Sequence, residues 1–156
     1  MVRRVVRRLG WGERGQTMVE FALALPIMAL LIFGAVDFSR FMLAYLAVSN
    51  GAREGARQGI VRPNCIDSFG TTANSIQARI KNNTDGAIAW IRVTPVVSYY
   101  SDASTPTPVT TPVAGGLVKV QVTAPFEPAT PLAGPIIGNP SVSAESQMVI
   151  EQVAAC

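Results

Sequence analysis

Histidine is absent from the 156 residues. Without it there are no Ser-His or Cys-His nucleophilic pairs and no histidine-based zinc sites. Charge is also scarce, at 15% of residues, and the carboxylates stand singly, with no close pair in sequence for acid–base chemistry. A phosphate-cradling glycine loop is missing as well, since Gly51, Gly55 and Gly59 recur at a helical interval and lack the accompanying lysine. These absences argue against an enzyme and predict neither cofactor nor metal. Cysteine is limited to Cys65 and Cys156, both after the one long apolar run. If that part of the chain lies in an oxidising compartment, the two are expected to pair and close a loop back to just behind a long helix.

Apolar residues make up 49% of the chain and the mean hydropathy is positive, too apolar for a typical soluble domain of this size. The net charge of +3 does not point to nucleic acid, because the basic excess is concentrated in Arg3, Arg4, Arg7, Arg8 and Arg14, against Glu13 alone. The remainder is close to neutral. Arginines beside an apolar span keep that end cytoplasmic, so residues 1–15 read as a cytoplasmic, leader-like head and the chain beyond the span as external. A basic tail for anionic lipid or nucleic acid is the blander alternative.

Phe21 to Val36 carries no charge over 16 residues, roughly 24 Å of helix against a hydrocarbon core of about 30 Å. After Asp37 to Arg40 the apolar character resumes through Val48. A transmembrane segment over about 21–43 is therefore expected inside a helix spanning 16–62, with Pro26 bending it and Pro63 ending it. Asp37 and Arg40 lie at i,i+3 and can offset each other at the interface. Further along, Ala47, Gly51, Gly55 and Gly59 form one i+4 row, and Ala44, Val48, Ala52, Ala56 and Ile60 the next. This smooth seam suits close approach of another element, of this chain or of a neighbour. Arg53, Glu54, Arg57 and Gln58 take the other side.

Residues 63–156 read as a small external α+β head. Thr71 to Asn83 suggests a short amphipathic helix through Ile76 and Ile80. Ala87 to Tyr100 is β-branched and aromatic, with Pro95 marking an edge or bulge. Ser101 to Ala114, rich in Ser, Thr and Pro, reads as an exposed loop. Leu117 to Ala124 alternates cleanly and is a strand, and Val142 to Val153 is a third. The expected fold is thus a long amino-terminal helix packed with an antiparallel sheet of about three strands and one short helix. Asn82-Asn83-Thr84 fits a glycosylation sequon, a short pattern that often arises by chance.

Glu20, at the start of the apolar run, is either a solvated anion favoured by the helix dipole or a functional group. Cutting the chain after Gly15 would free an amine at Gln16, and a carboxylate four residues on could neutralise it, or a neighbour's, inside an apolar filament core. Three separated motifs carry a family likeness: Arg14-Gly15-Gln16-Thr17-Met18-Val19-Glu20-Phe21-Ala-Leu-Ala-Leu-Pro26, then Asp37-Phe38-Ser39-Arg40, then Asn50-Gly51-Ala52-Arg53-Glu54-Gly55-Ala56-Arg57. Over residues 14–60 the chain resembles TadE-like proteins, pilin-related subunits of the Tad branch of type IV pilus systems. The closing Val142 to Val149 resembles the family's last strand more weakly.

The resemblance implies a leader removed after Gly15 by a membrane-embedded aspartyl prepilin peptidase, Glu20 close behind the new amino terminus, and a single-pass subunit of the cytoplasmic membrane. Its implied partners are other pilin or pseudopilin subunits and the Tad secretion machinery, with no nucleic acid. The alternatives are an anchored, adhesin-like surface protein that keeps residues 1–15, and a conventionally secreted protein cut after the apolar run, for which Ala35-Val36-Asp37 is a poor site.

Overall fold

The computed structural model describes residues 12–67, 72, 74–88, 92–130, 134, 138, 140–154 and 156. Residues 1–11, which hold most of the expected leader, lie outside that set. The element order is α1 (Gly12–Val61), α2 (Ile76–Ile88), β1 (Thr94–Tyr100), β2 (Pro108–Val109), β3 (Leu117–Pro125) and β4 (Ser141–Val149). Helix α1 runs through Pro26 and starts ahead of the expected cut. The chain divides into two compact units, Met1–Val36 and Asp37–Cys156. In the first, the described residues are one helix whose large side chains are exposed, Phe21 at 63% and Leu30 at 68% among them.

The second unit is the head, into which the helix from Asp37 to Val61 is built. Its four strands form one antiparallel sheet in the order β2-β1-β3-β4. β3 alternates as expected: Val118, Val120, Val122 and Ala124 are fully buried. Lys119, Gln121 and Thr123 take the other face, where Lys119 reaches Glu145 of β4 at 2.8 Å. That hydrogen bond and the attendant charge attraction hold the lysine above, and the glutamate below, their ordinary ranges.

One strand more is present than the sequence suggested. β2 is a two-residue piece inside the Ser/Thr/Pro stretch, pairing Val109 with Tyr99 and Pro108 with Tyr100. Helix α2 is displaced from the expected 71–83 because Ser75 caps it, its hydroxyl accepting from the Ala78 amide at 3.1 Å. β4 stops at Val149 rather than Val153. Ile150 turns to exchange backbone hydrogen bonds with Gly115 and Gly116, and the tail then crosses to the end of α1, where the Glu151 and Gln152 amides donate to Ile60 and the Ala154 amide to Val61. Those carbonyls would otherwise be orphaned at the helix terminus, so the chain's own tail supplies the C-cap.

α2 runs antiparallel to α1. Gly51 faces Thr84 and Ile80, Gly55 faces Ile80, and the Gln58 amide donates to the Asn74 carbonyl at 2.7 Å. Gly55 also faces Val120 of β3, and Gly59 faces Val118, so one side of the helix closes on α2 and the inner face of the sheet together. Tyr99, 6% exposed, donates its hydroxyl to the Pro63 carbonyl just past the helix end.

Two expectations follow. A Cβ at Gly59 would lie 2.8 Å from Val118 Cγ2 and 3.1 Å from Cγ1, on a stiff β-branched strand residue. The overpacking, about 1–3 kcal/mol, exceeds the roughly 1 kcal/mol of helix propensity that alanine returns. Gly59→Ala should therefore lower the thermal midpoint in detergent, whereas Gly34→Ala, with no atom near its added carbon, should leave it unchanged or raise it.

The second concerns pH. Burial pushes Tyr99 up to about 12, above the unfolded value near 10, so the folded state holds this proton more tightly. Its contribution is complete below about pH 10 and lost between about 10 and 12. Tyr99→Phe should melt lower at neutral pH by about 1 kcal/mol for the lost hydrogen bond, and chemical-denaturant curves should show a shallower loss of stability over that alkaline window than in the parent.

Candidate assembly site on the long helix

The residues singled out by sequence fall at three levels of α1. At its start Gly15, Gln16 and Glu20 are exposed. The Gln16 side-chain amide donates to a Glu20 carboxylate oxygen at 3.2 Å, because i and i+4 share a helix face. No atom lies near the position a Cβ would take at Gly15, so glycine is not demanded there by packing. Beyond Glu20 the helix offers apolar side chains all round. It is long and apolar enough to cross a membrane, with the uncharged Phe21–Val36 run exposed except for a half-buried Ala29.

At the middle level the head closes on α1. The Asp37 carboxylate accepts from the Ala129 amide at 2.8 Å and the Thr130 amide at 3.3 Å, and from the Thr130 hydroxyl. Arg40 stands 4.0 Å away. One turn on, Phe41 meets Phe126 edge to face, with centroids 5.4 Å apart. Head packing thus begins at Asp37, inside the stretch expected to cross the membrane, and the aspartate is satisfied by the loop after β3 more than by its i,i+3 arginine. Nothing in the spacing of Asp37 and Thr130 announced this contact.

At the upper level the small-residue seam is occupied by the chain's own head. Ala47, Gly51, Ala52, Gly55, Ala56 and Gly59 are all buried, against α2 and β3 as described. The sequence left open whether this seam serves the chain itself or a neighbour; here it is used internally. Arg57 and Glu54 pair at 3.5 Å on the solvent side. Cys65 and Cys156 are joined in a disulfide across a separation of 91 residues, a closure that the loop-entropy account values at about 4–5 kcal/mol. The sequon fares differently. Thr84 is 1% exposed and its hydroxyl donates to the Ile80 and Lys81 carbonyls within α2, so the hydroxyl that modification requires is withheld. Among the described residues no cluster of Cys, Asp and Glu is placed to hold a metal ion.

With the apolar rod, the carboxylate at its start and the glycine seam in one helix, the comparison with known families becomes specific. Residues 15–57 match the TadE-like protein family. The matched segment begins at Gly15 and ends at Arg57, so it takes in the lower and middle levels of α1 and the seam as far as Ala56, while the sheet lies outside it. A TadE-like segment joined to an apolar amino-terminal helix fits a membrane protein associated with a Tad pilus. No curated protein and no solved structure matches the chain.

Replacing Asp37 tests the middle level of the TadE-like helix. Asp37→Ala should speed amide exchange at Ala129 and Thr130, which lose their acceptor, while leaving the Val118–Val122 amides of β3 protected. Hydrogen–deuterium exchange mass spectrometry reads both regions in one experiment.

Proposed function

We propose that this chain is a TadE-like pilin or pseudopilin, a structural or assembly subunit of a Tad-type pilus that performs no covalent chemistry itself. The observation that carries the reading is the order of parts in the family-matched segment. An exposed Gly15 is followed by Gln16 and Glu20 on one helix face, then by an uncharged rod with its side chains outward. In this reading residues 1–15 remain cytoplasmic, a prepilin peptidase cuts after Gly15, and the head stands outside the cytoplasmic membrane. The Cys65–Cys156 disulfide agrees with an external, oxidising location.

The mechanism is physical. Cutting frees an ammonium at Gln16, costly in an apolar filament core unless a carboxylate meets it. Glu20 already reaches the side chain of residue 16, one helical turn away, and in this reading its carboxylate meets the new amine or that of an adjoining subunit. The bilayer holds the rod until assembly transfers it from lipid into a bundle of similar helices. Because the head fills the small-residue seam, the helical stretch from Asp37 to Val61 stays with the head. The sizeable head favours a minor or initiating role over that of bulk filament subunit.

The mass of the native amino terminus separates the readings. A pilin-like subunit should begin at Gln16, whereas an anchored, adhesin-like protein should retain residues 1–15. Gly15→Val, which the open surroundings of Gly15 tolerate, should block processing without unfolding the head. Glu20→Ala should be processed yet fail to support normal fibre production. Native material that still carries its leader would refute the proposal.

A further inference from the structure

Within the head, α1 has two faces of opposite character between Asp37 and Arg53. One is buried: Ala44, Ala47 and Val48 are at most 3% exposed, and Asp37 and Arg40 point the same way. On the other, Phe38 is 63% exposed, Met42 38%, Tyr45 47% and Leu46 56%. The spacings of three, four, seven and eight residues put these four on one side of the helix. The stripe ends abruptly, since Asn50, Arg53 and Arg57 follow on the exposed side.

We infer that this stripe is a lipid contact: the outer leaflet of the membrane covers Phe38, Met42, Tyr45 and Leu46, while the head covers the opposite side of the same turns. The inference rests on the membrane-anchored reading given above and goes beyond it by fixing how deep one face of the head-bearing helix sits.

Three observations choose lipid as the occupant. The first is length. The uncharged Phe21–Val36 run supplies roughly 24 Å against about 30 Å of hydrocarbon, and the chain enters the stripe straight after it. Phe38 to Leu46 adds roughly 13 Å on one side, enough to complete the crossing and bring Tyr45 and Leu46 to headgroup level, where amphipathic aromatic rings are favoured.

The second is charge. Asp37 and Arg40 are the only charged residues between Phe21 and Leu46, and the head removes the aspartate from the free side by giving it the Ala129 and Thr130 donors. An ionised group facing the hydrocarbon would be costly; here the pair lies against the head instead. The third is side-chain size. Close helix–helix contact in membranes favours small residues, and the alanines of these turns, Ala44 and Ala47, are already spent inside the head. The free face is dominated by bulky side chains, with Ser39 the exposed small residue beside them, a surface suited to fluid acyl chains.

Nitroxide labelling of the full-length chain tests this. Single cysteines are introduced as Leu30→Cys, Met42→Cys, Leu46→Cys and Arg53→Cys, all at exposed positions, the native cysteines being protected in their disulfide. Each protein is reconstituted at low density into phosphatidylcholine/phosphatidylglycerol vesicles, and collision rates with oxygen and with nickel ethylenediaminediacetate are compared by electron paramagnetic resonance. Positions 30 and 42 should be oxygen-rich, with nickel collisions severalfold fewer than at position 53, and position 46 should fall between. Lipid exposure at 30 with free nickel access at 42 and 46 would overturn this inference alone. Protection from both reagents at 42 and 46 would also overturn it, pointing to a second helix as the occupant. Nickel access at position 30 would sink the membrane reading together with the inference.

Discussion

At Gly55 the backbone of α1 lies so close to its neighbours that an added carbon would stand 2.7 Å from Ile80 Cγ1 and 3.2 Å from Val120 Cγ1. One turn of the helix thus meets α2 and the central strand at once. The head's layering depends on that contact: α2 can lie antiparallel along α1 only because Gly51 and Gly55 give it room. β3 can present Val118, Val120 and Val122 to the same helix only because Gly55 and Gly59 leave the space. Each fully buried aliphatic side chain contributes on the order of 1.5–3 kcal/mol, enough together to offset the helix propensity lost at three glycines.

Residue size is sorted around the helix accordingly. Alanine and glycine take the side where elements of this chain approach, and Phe, Met, Tyr and Leu take the side they leave. Charge obeys the same geometry: Asp37 and Arg40 sit among the apolar residues because the loop after β3 meets the carboxylate there. One helix thereby serves as apolar rod and as core element of a folded head. A helix long and apolar enough to cross a membrane is continuous in sequence with the element on which the head folds.

Much of this was legible in the residues. The strict alternation of Leu117 to Ala124 assigns one buried and one exposed face and was met residue by residue, and the i+4 rows of small residues announced a seam. The cysteine pair was equally readable, as two thiols beyond an apolar span. What the sequence concealed were partners distant along the chain. Asp37 is separated from Thr130 by 93 positions, and a short pairing such as Pro108–Tyr100 leaves no periodic trace in a Ser/Thr/Pro stretch. The start of α2 was a different kind of miss. Ser75 directly before Ile76 is a capping signal that local chemistry offered, and the amphipathic pattern drew the boundary too early. At the amino-terminal site the match begins at Gly15, and proximity of Gln16 and Glu20 follows from helical spacing alone.

The covalent closure between residues 65 and 156 has a mechanical consequence. α2 and all four strands lie within that ring, and the tail inside it also clasps the carbonyl end of α1. Tension arriving along α1 and leaving through a point on the head divides between two covalent routes in parallel, clockwise and anticlockwise round the loop. The edge strand β4 cannot be unzipped from a loose end, so the head resists extension as a closed link rather than as a thread.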